Sequence, residues 1–301
     1  MELPVQGIIP PMITPLLPDG KLDVQGLSNL IEHMITGGVH GIFALGTNGE
    51  GPSLSYGLRK ELIQESARII AKRVPLLVGI TDTSEKGCLE IAHAAAQSGA
   101  DALVLAPPYY MPISQAEMVG YLERLVPKLP LPYLIYNMPS CTKLHLDLAT
   151  VKKAQELGAI GIKDSSGDMG YLYNLIDTFK NEPDFAIITG TELFLGETIH
   201  NGGHGAVAGG ANFFPKLYVA LYDAARANDN EKISLLREKV LEVYHTIYNI
   251  GENSSRFTVG TKCVLSILGI CDDTMASPLK AFNGTDKKKM ESYVALFNEY
   301  H

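Results

Sequence analysis

Lys163 is the residue with the most to offer chemically. It closes an apolar, β-type run, Ala159-Ile160-Gly161-Ile162, and the polar loop Asp164-Ser165-Ser166-Gly167-Asp168 follows at once. Burying a lysine disfavours its charged form, a cost that makes sense when the amine is meant to be neutral and nucleophilic, as imine-forming lysines are. A surface lysine paired with Asp164 accounts for the same stretch. Other reactive types stand at the ends of apolar runs: Thr47-Asn48, Tyr109-Tyr110, Tyr136, Gly190-Thr191 and Gly209-Gly210. An amine, a phenol and a hydroxyl beside glycine-flanked amides suit carbonyl chemistry. The amine attacks a ketone and loses water, and the protonated imine becomes an electron sink for the adjacent carbon–carbon bond. The phenol shuttles protons, and the amides of Gly46-Thr47-Asn48-Gly49-Glu50 can hold a carboxylate. Singly, these residues have plainer uses, as a turn hydroxyl, tyrosines packing a rim and glycines turning the chain.

For such residues to meet, a regular framework must bring them to one place. Strand patterns cover Gly7–Ile13, Gly41–Leu45, Pro75–Ile80, Ala102–Leu105, Tyr133–Tyr136, the run ending in Lys163, Phe185–Thr189 and Gly205–Ala208. Helical periodicity separates them. Asp23 is placed to cap a helix that Gly37-Gly38 stops, Ser84 opens one that Gly99 closes, and Ser114 with Glu117 has the spacing of a capping box. The strands are apolar runs rather than alternating ones, as when both faces are covered. Eight strand–helix alternations predict a (β/α)8 TIM barrel over residues 1–228, whose carboxyl strand ends form the active mouth. An open doubly wound sheet is disfavoured, since no strand–GxGxxG–helix signature occurs early in the chain. Glu231–Asn249, Thr258–Leu268 and Asp286–Tyr300 read as helices with no strand between them, a C-terminal helical appendage over 229–301.

Composition sets limits. Of the 301 residues 46% are apolar and 19% charged, with a net charge of −8, which leaves no basic footprint for nucleic acid or an anionic membrane. No apolar run approaches a membrane span, and prolines interrupt the amino-terminal stretch, so neither a span nor a signal peptide is expected. Cys88, Cys141, Cys263 and Cys271 form no CxxC pair and read as reduced thiols in a cytoplasmic protein. His200 and His204 straddle Gly202-Gly203, which counts against a helical zinc pair. The stretch 202–210 could be a phosphate site of the kind some barrels carry, and Lys287-Lys288-Lys289 reads as the solvated start of a terminal helix.

Four segments together carry a specific resemblance: GTNGE (46–50), APPYY (106–110), YNMPS (136–140) and GIKDSSGD (161–168), followed by GGHGAVAGGAN (202–212). In this order and spacing the chain resembles the dihydrodipicolinate synthase / N-acetylneuraminate lyase family of class I, pyruvate-dependent aldolases and lyases, over essentially its whole length. The resemblance implies that Lys163 forms the Schiff base with pyruvate or another 2-keto acid and that Tyr136 is the general acid/base. It implies that Thr47 relays protons and that the backbone at Thr47 and Asn48 binds the keto-acid carboxylate. Tyr110 would be lent to a neighbouring subunit's relay, and Gly190 and Val207 would line the pocket. It further implies a homotetramer built as a dimer of dimers, and neither metal nor organic cofactor.

Two departures bear on the substrate. Synthases carry an arginine for the second substrate's carboxylate where this chain has Cys141, which offers no charge and no fork of donors. Asn48 stands where synthases usually have a second threonine, and an amide cannot relay a proton as a hydroxyl does. The Ser-Thr loop of the sialic-acid lyases is not matched either. The expected activity is cleavage of a 2-keto-3-deoxy or 4-hydroxy-2-keto acid to pyruvate and an aldehyde. The alternatives are 4-hydroxy-tetrahydrodipicolinate synthase, a keto-deoxy-acid dehydratase and a non-catalytic keto-acid-binding protein.

Overall fold

The computed structural model describes residues 1–300. Eight parallel strands are ordered β1-β8-β7-β6-β5-β4-β3-β2. They are β1 (Gly7–Ile8), β2 (Ile42–Ala44), β3 (Leu76–Gly79), β4 (Ala102–Leu105), β5 (Tyr133–Asn137), β6 (Ala159–Asp164), β7 (Ala186–Thr189) and β8 (Gly205–Ala206). The expected first strand is shorter than its apolar run, because Pro10 and Pro11 have no N–H to give to a ladder. The chain still closes the barrel there: Phe43 N donates to Pro10 O at 3.0 Å and Met12 N to Phe43 O at 2.8 Å. The architecture is the (β/α)8 barrel that the alternation predicts.

The helices between the strands are α1 (Val24–Thr36), α2 (Tyr56–Ile70), α3 (Glu85–Ser98), α4 (Gln115–Leu125), the single turn α5 (Pro139–Thr142), α6 (Leu148–Glu156), α7 (Met169–Phe179), α8 (Leu195–His200) and α9 (Pro215–Arg226). Their starts follow from the capping residues: Asp23, Ser55, Ser84, Asp147 and Asp168 each accept a first-turn N–H, and Ser114 and Glu117 form the reciprocal box. In α1, Leu27, Leu30, Ile31 and Met34 fall on one face at helical spacing and are buried.

Two apolar layers result. Between sheet and helices lie outward-facing strand residues such as Ile135, Ile162 and Ile187. Inside the barrel lies a separate cluster that includes Phe43, Leu77, Val104, Leu134, Tyr136, Ala186, Ile188 and Val207. Successive strand residues point to opposite faces, so Lys163, next to outward-facing Ile162, has to point inward. Beyond α9 come α10 (Asn230–His245), α11 (Arg256–Ile267) and α12 (Gly284–Val294), with no strand among the described residues. The expected helix to Asn249 ends early, at His245. There Thr246 turns its hydroxyl back onto Glu242 O, the local competition that β-hydroxyl side chains offer a helix.

Candidate active site

β5 and β6 set the centre. They pair in parallel with Tyr136 opposite Lys163 and Asn137 opposite Asp164. Lys163 is 5% exposed and Tyr136 7%. The Lys163 Nζ stands 3.8 Å from the centroid of the Tyr136 ring and 5.0 Å from that of Phe43. The amine thus lies among aromatic faces, whose negative charge density attracts a cation. Asp164 does not serve as its partner. That carboxylate accepts from Asn137 Nδ2 at 2.8 Å and from Ser166 Oγ at 2.9 Å, and the salt-bridge reading of Lys163 is corrected accordingly. Burial raises Asp164 above the ordinary carboxylate range, against the pull of those hydrogen bonds. Asn137 also accepts from Leu146 N at 3.0 Å, tying the chain after α5 to the same strand pair.

A cleft of about 740 Å³ opens above Lys163. Thr47, Asn48, Tyr136, Cys141, Lys163, Gly190 and Val207 all line it, so the strand-end residues that the sequence singles out do meet. Thr47 and Asn48 sit in the turn after β2, closed by Glu50 N donating to Thr47 O at 3.0 Å. Gly209 lies close beside them: a Cβ there would come within 2.9 Å of Asn48 Nδ2 and 3.0 Å of the Phe257 ring, so the Asn48 amide would have to shift. At Gly190 an added Cβ would overlap Ser165 Oγ. Cys141, on α5, is exposed to the cleft. Tyr110 is different: it is 77% exposed, its backbone is left-handed at φ 81°, and it is absent from this lining. Its neighbour Tyr109 borders a smaller cavity of about 150 Å³ that shares Thr47, Tyr136 and Cys141 with the cleft.

Several lining residues carry no signal in the strand-end pattern. Ser254, Ser255, Phe257, Thr258, Pro278 and Leu279 reach the cleft from the C-terminal segments. Glu192, also on the lining, is 1% exposed and accepts from Gly210 N and from Tyr218 Oη, both at 2.9 Å. Burial pushes its carboxyl up to about 7 in spite of these hydrogen bonds. Beside the smaller cavity, Arg59 and Asp82 form a buried pair at 3.1 Å, and Tyr56 Oη also donates to Asp82 at 2.8 Å. Among the described lining residues Lys163 is the one cation; apart from the buried carboxyls of Glu50 and Glu192, the wall away from it is built of hydroxyls, amides, a thiol and apolar groups.

The remaining candidates resolve simply. His204 Nδ1 accepts from Ile187 N at 3.0 Å, and the described residues hold no cluster of three or more metal-type ligands. Lys287 is not a freely solvated helix-start residue: it is partly buried and pairs with Asp273 at 2.7 Å. No described helix is long and apolar enough to cross a membrane.

Comparison with known proteins places these features. Residues 4–296 match the dihydrodipicolinate synthetase family. YagE of Escherichia coli K12, provisionally named a 2-dehydro-3-deoxy-D-gluconate aldolase, is 35% identical over 240 residues, 79% of this chain and 80% of its own. The structure of YagE in complex with pyruvate superposes with a TM-score of 0.92, at 29% identity over 98% of this chain and 99% of that one. A dihydrodipicolinate synthase structure from Bacteroides thetaiotaomicron gives a TM-score of 0.96, at 46% identity over 99% of this chain and 100% of that one.

Proposed function

The chain belongs to the dihydrodipicolinate synthetase family, and from that premise we propose that it is a pyruvate-dependent lyase of the class I aldolase type. Its reaction is cleavage of a 2-keto-3-deoxy acid, or a related 4-hydroxy-2-keto acid, to pyruvate and an aldehyde. The observation that carries this reading is a buried amine at the end of β6, 3.8 Å from the Tyr136 ring centroid, in a cleft whose other lining residues include no cation.

The steps balance on these residues. The Lys163 amine adds to the keto carbon, and loss of water leaves a protonated imine. Removal of the C4 hydroxyl proton, by way of Tyr136 with Thr47 as relay, lets the C3–C4 bond break. The electron pair moves into the imine to give an enamine, and the aldehyde leaves. The enamine is reprotonated at C3, and water releases pyruvate from Lys163. The turn at Thr47 and Asn48 holds the carboxylate, with Gly190 and Val207 beside the keto-acid half. The neutral wall around Cys141, Ser165, Thr191 and Ser254 suits an uncharged, hydroxyl-bearing aldehyde better than one carrying a carboxylate. The barrel over 1–228 supplies the chemistry and the region 229–301 one wall of the cleft. An exposed Tyr110 held in a left-handed backbone fits a residue lent to a second copy, within a homotetramer. Four unpaired cysteines fit a cytoplasmic setting.

Borohydride reduction in the presence of pyruvate tests the mechanism. It is expected to add a reduced pyruvyl group to Lys163, and an adduct on another lysine, or none, overturns the assignment. A panel of 2-keto-3-deoxy acids then reads the aldehyde half. The 46% identity with the Bacteroides thetaiotaomicron synthase structure favours a second reading, condensation of pyruvate with aspartate semialdehyde. A coupled assay with those two substrates decides between them.

A further inference from the structure

The turn carrying Thr47 and Asn48 ends in Glu50, whose carboxylate is sealed from water. Glu50 is 3% exposed and Lys262, in the middle of α11, 0%. One carboxylate oxygen of Glu50 pairs with Lys262 Nζ, and the other accepts from Ala276 N at 2.7 Å. Lys262 Nζ also donates to Thr274 O at 2.6 Å. Glu50 holds a left-handed backbone at φ 54°, and at the near end of the turn Thr14 Oγ1 donates to Gly49 O at 2.6 Å. The turn is therefore pinned to the barrel on one side and to the C-terminal region on the other.

Such a pair is a poor device for stability alone. Desolvating two charges costs much of what their attraction returns, and apolar residues of similar volume often do as well. Burial indeed pulls the Lys262 amine below its ordinary value, with Glu50 opposing. What the pair supplies is position, because any drift of the turn would strand a charge. The same segments line the cleft: Thr258 lies one helical turn before Lys262, and Pro278-Leu279 follow Ala276.

We infer that Glu50 and Lys262 are positioning residues for the keto-acid carboxylate, fixing the Thr47–Asn48 turn against the wall formed by Thr258 and Pro278-Leu279. This rests on the reading of the cleft as a keto-acid site. The pair touches no reacting atom, and its effect falls on binding rather than on the imine step.

The test follows borohydride-trapped adduct on Lys163 against pyruvate concentration, with urea denaturation in parallel. Parent protein that gives no adduct overturns the keto-acid reading and the role of the pair with it. Where the parent does give one, the variants judge the pair alone. Glu50→Asp keeps both charges but shortens the reach by a methylene, and is expected to raise half-saturating pyruvate about tenfold, with the saturated adduct still on Lys163. Lys262→Met strands the carboxylate and is expected to raise it further, whereas Glu50→Gln/Lys262→Met strands no charge but also lacks the pair, and is expected to regain stability while its half-saturating pyruvate stays above the parent value. A Glu50→Asp protein that is less stable but saturates at the parent's pyruvate concentration makes the pair purely structural and overturns the inference. Glu50→Asp is the deciding variant where Lys262→Met does not fold.

Discussion

Replacing Glu192 by glutamine should change how stability depends on pH. Burial holds the native carboxyl at about 7, against an ordinary value of 4.5. A folded-state value above the unfolded one means that the native protein binds more protons between those limits. Its contribution to stability is then greatest below about pH 4.5, falls as pH rises through the window, and is lost above about 7. Each tenfold change in proton affinity is worth about 1.4 kcal/mol, so the full effect is about 3 kcal/mol, of which about 2.5 kcal/mol falls between about pH 5 and 8. The groups facing Glu192 do not blur the reading, because burial raises Tyr218, Tyr244 and Tyr248 far above this range. Glutamine keeps the shape and can still accept from Gly210 N, but it has no proton to lose. Urea unfolding of both proteins at about pH 5 and 8 gives the comparison. The parent should lose about 2.5 kcal/mol relative to Glu192→Gln over that interval. Parallel behaviour, within about 0.5 kcal/mol, would falsify the assignment of a neutral buried carboxyl to Glu192.

Further outcomes can be checked directly. Lys163→Ala should abolish turnover, and Tyr136→Phe should slow it by about a hundredfold or more; near-parental rates in Tyr136→Phe would remove the phenol from the proton path. Cys141→Arg places a guanidinium on the neutral wall, and should raise activity with a carboxylate-bearing aldehyde relative to a polyol one; an unchanged preference would separate Cys141 from specificity. Arg59→Met leaves Asp82 buried without its partner and should cost about 3–5 kcal/mol, read as a lowered urea midpoint. Cys141 is exposed whereas burial pushes the thiols of Cys88 and Cys263 up to about 12. Alkylation should therefore reach Cys141 before either of them, and slow there when the cleft is occupied by pyruvate.

The sequence made the frame and its reactive end legible for a physical reason. Strand ends, caps and the lysine at the end of β6 are local signals, and the barrel rule converts strand ends into neighbours. Glu192 and Lys262 were not legible in the same way, because what distinguishes them is burial against elements remote in the chain: Tyr218 for one, the turn before α2 for the other. A trace did exist for Lys262, a lone lysine in Thr258-Val259-Gly260-Thr261-Lys262-Cys263-Val264-Leu265, every residue of which is buried. The shortened β1 was foreseeable from Pro10-Pro11. The cleft wall from residues 254–279 was not, since the helical pattern there gives no direction for the segments between α10 and α12.

Tyr136 and Lys163 occupy paired positions on adjacent strands, and Asn137 clamps the next pair to Leu146. The backbone spacing from which phenol and amine project is thus set by the ladder itself, about 4.8 Å between strands, rather than by loops. The loops and α5 that shape the far wall can be exchanged without moving that ruler. On the proposed reaction, such a barrel acquires new aldehyde partners by drift at a wall residue such as Cys141, while the pyruvate half of its chemistry stays intact.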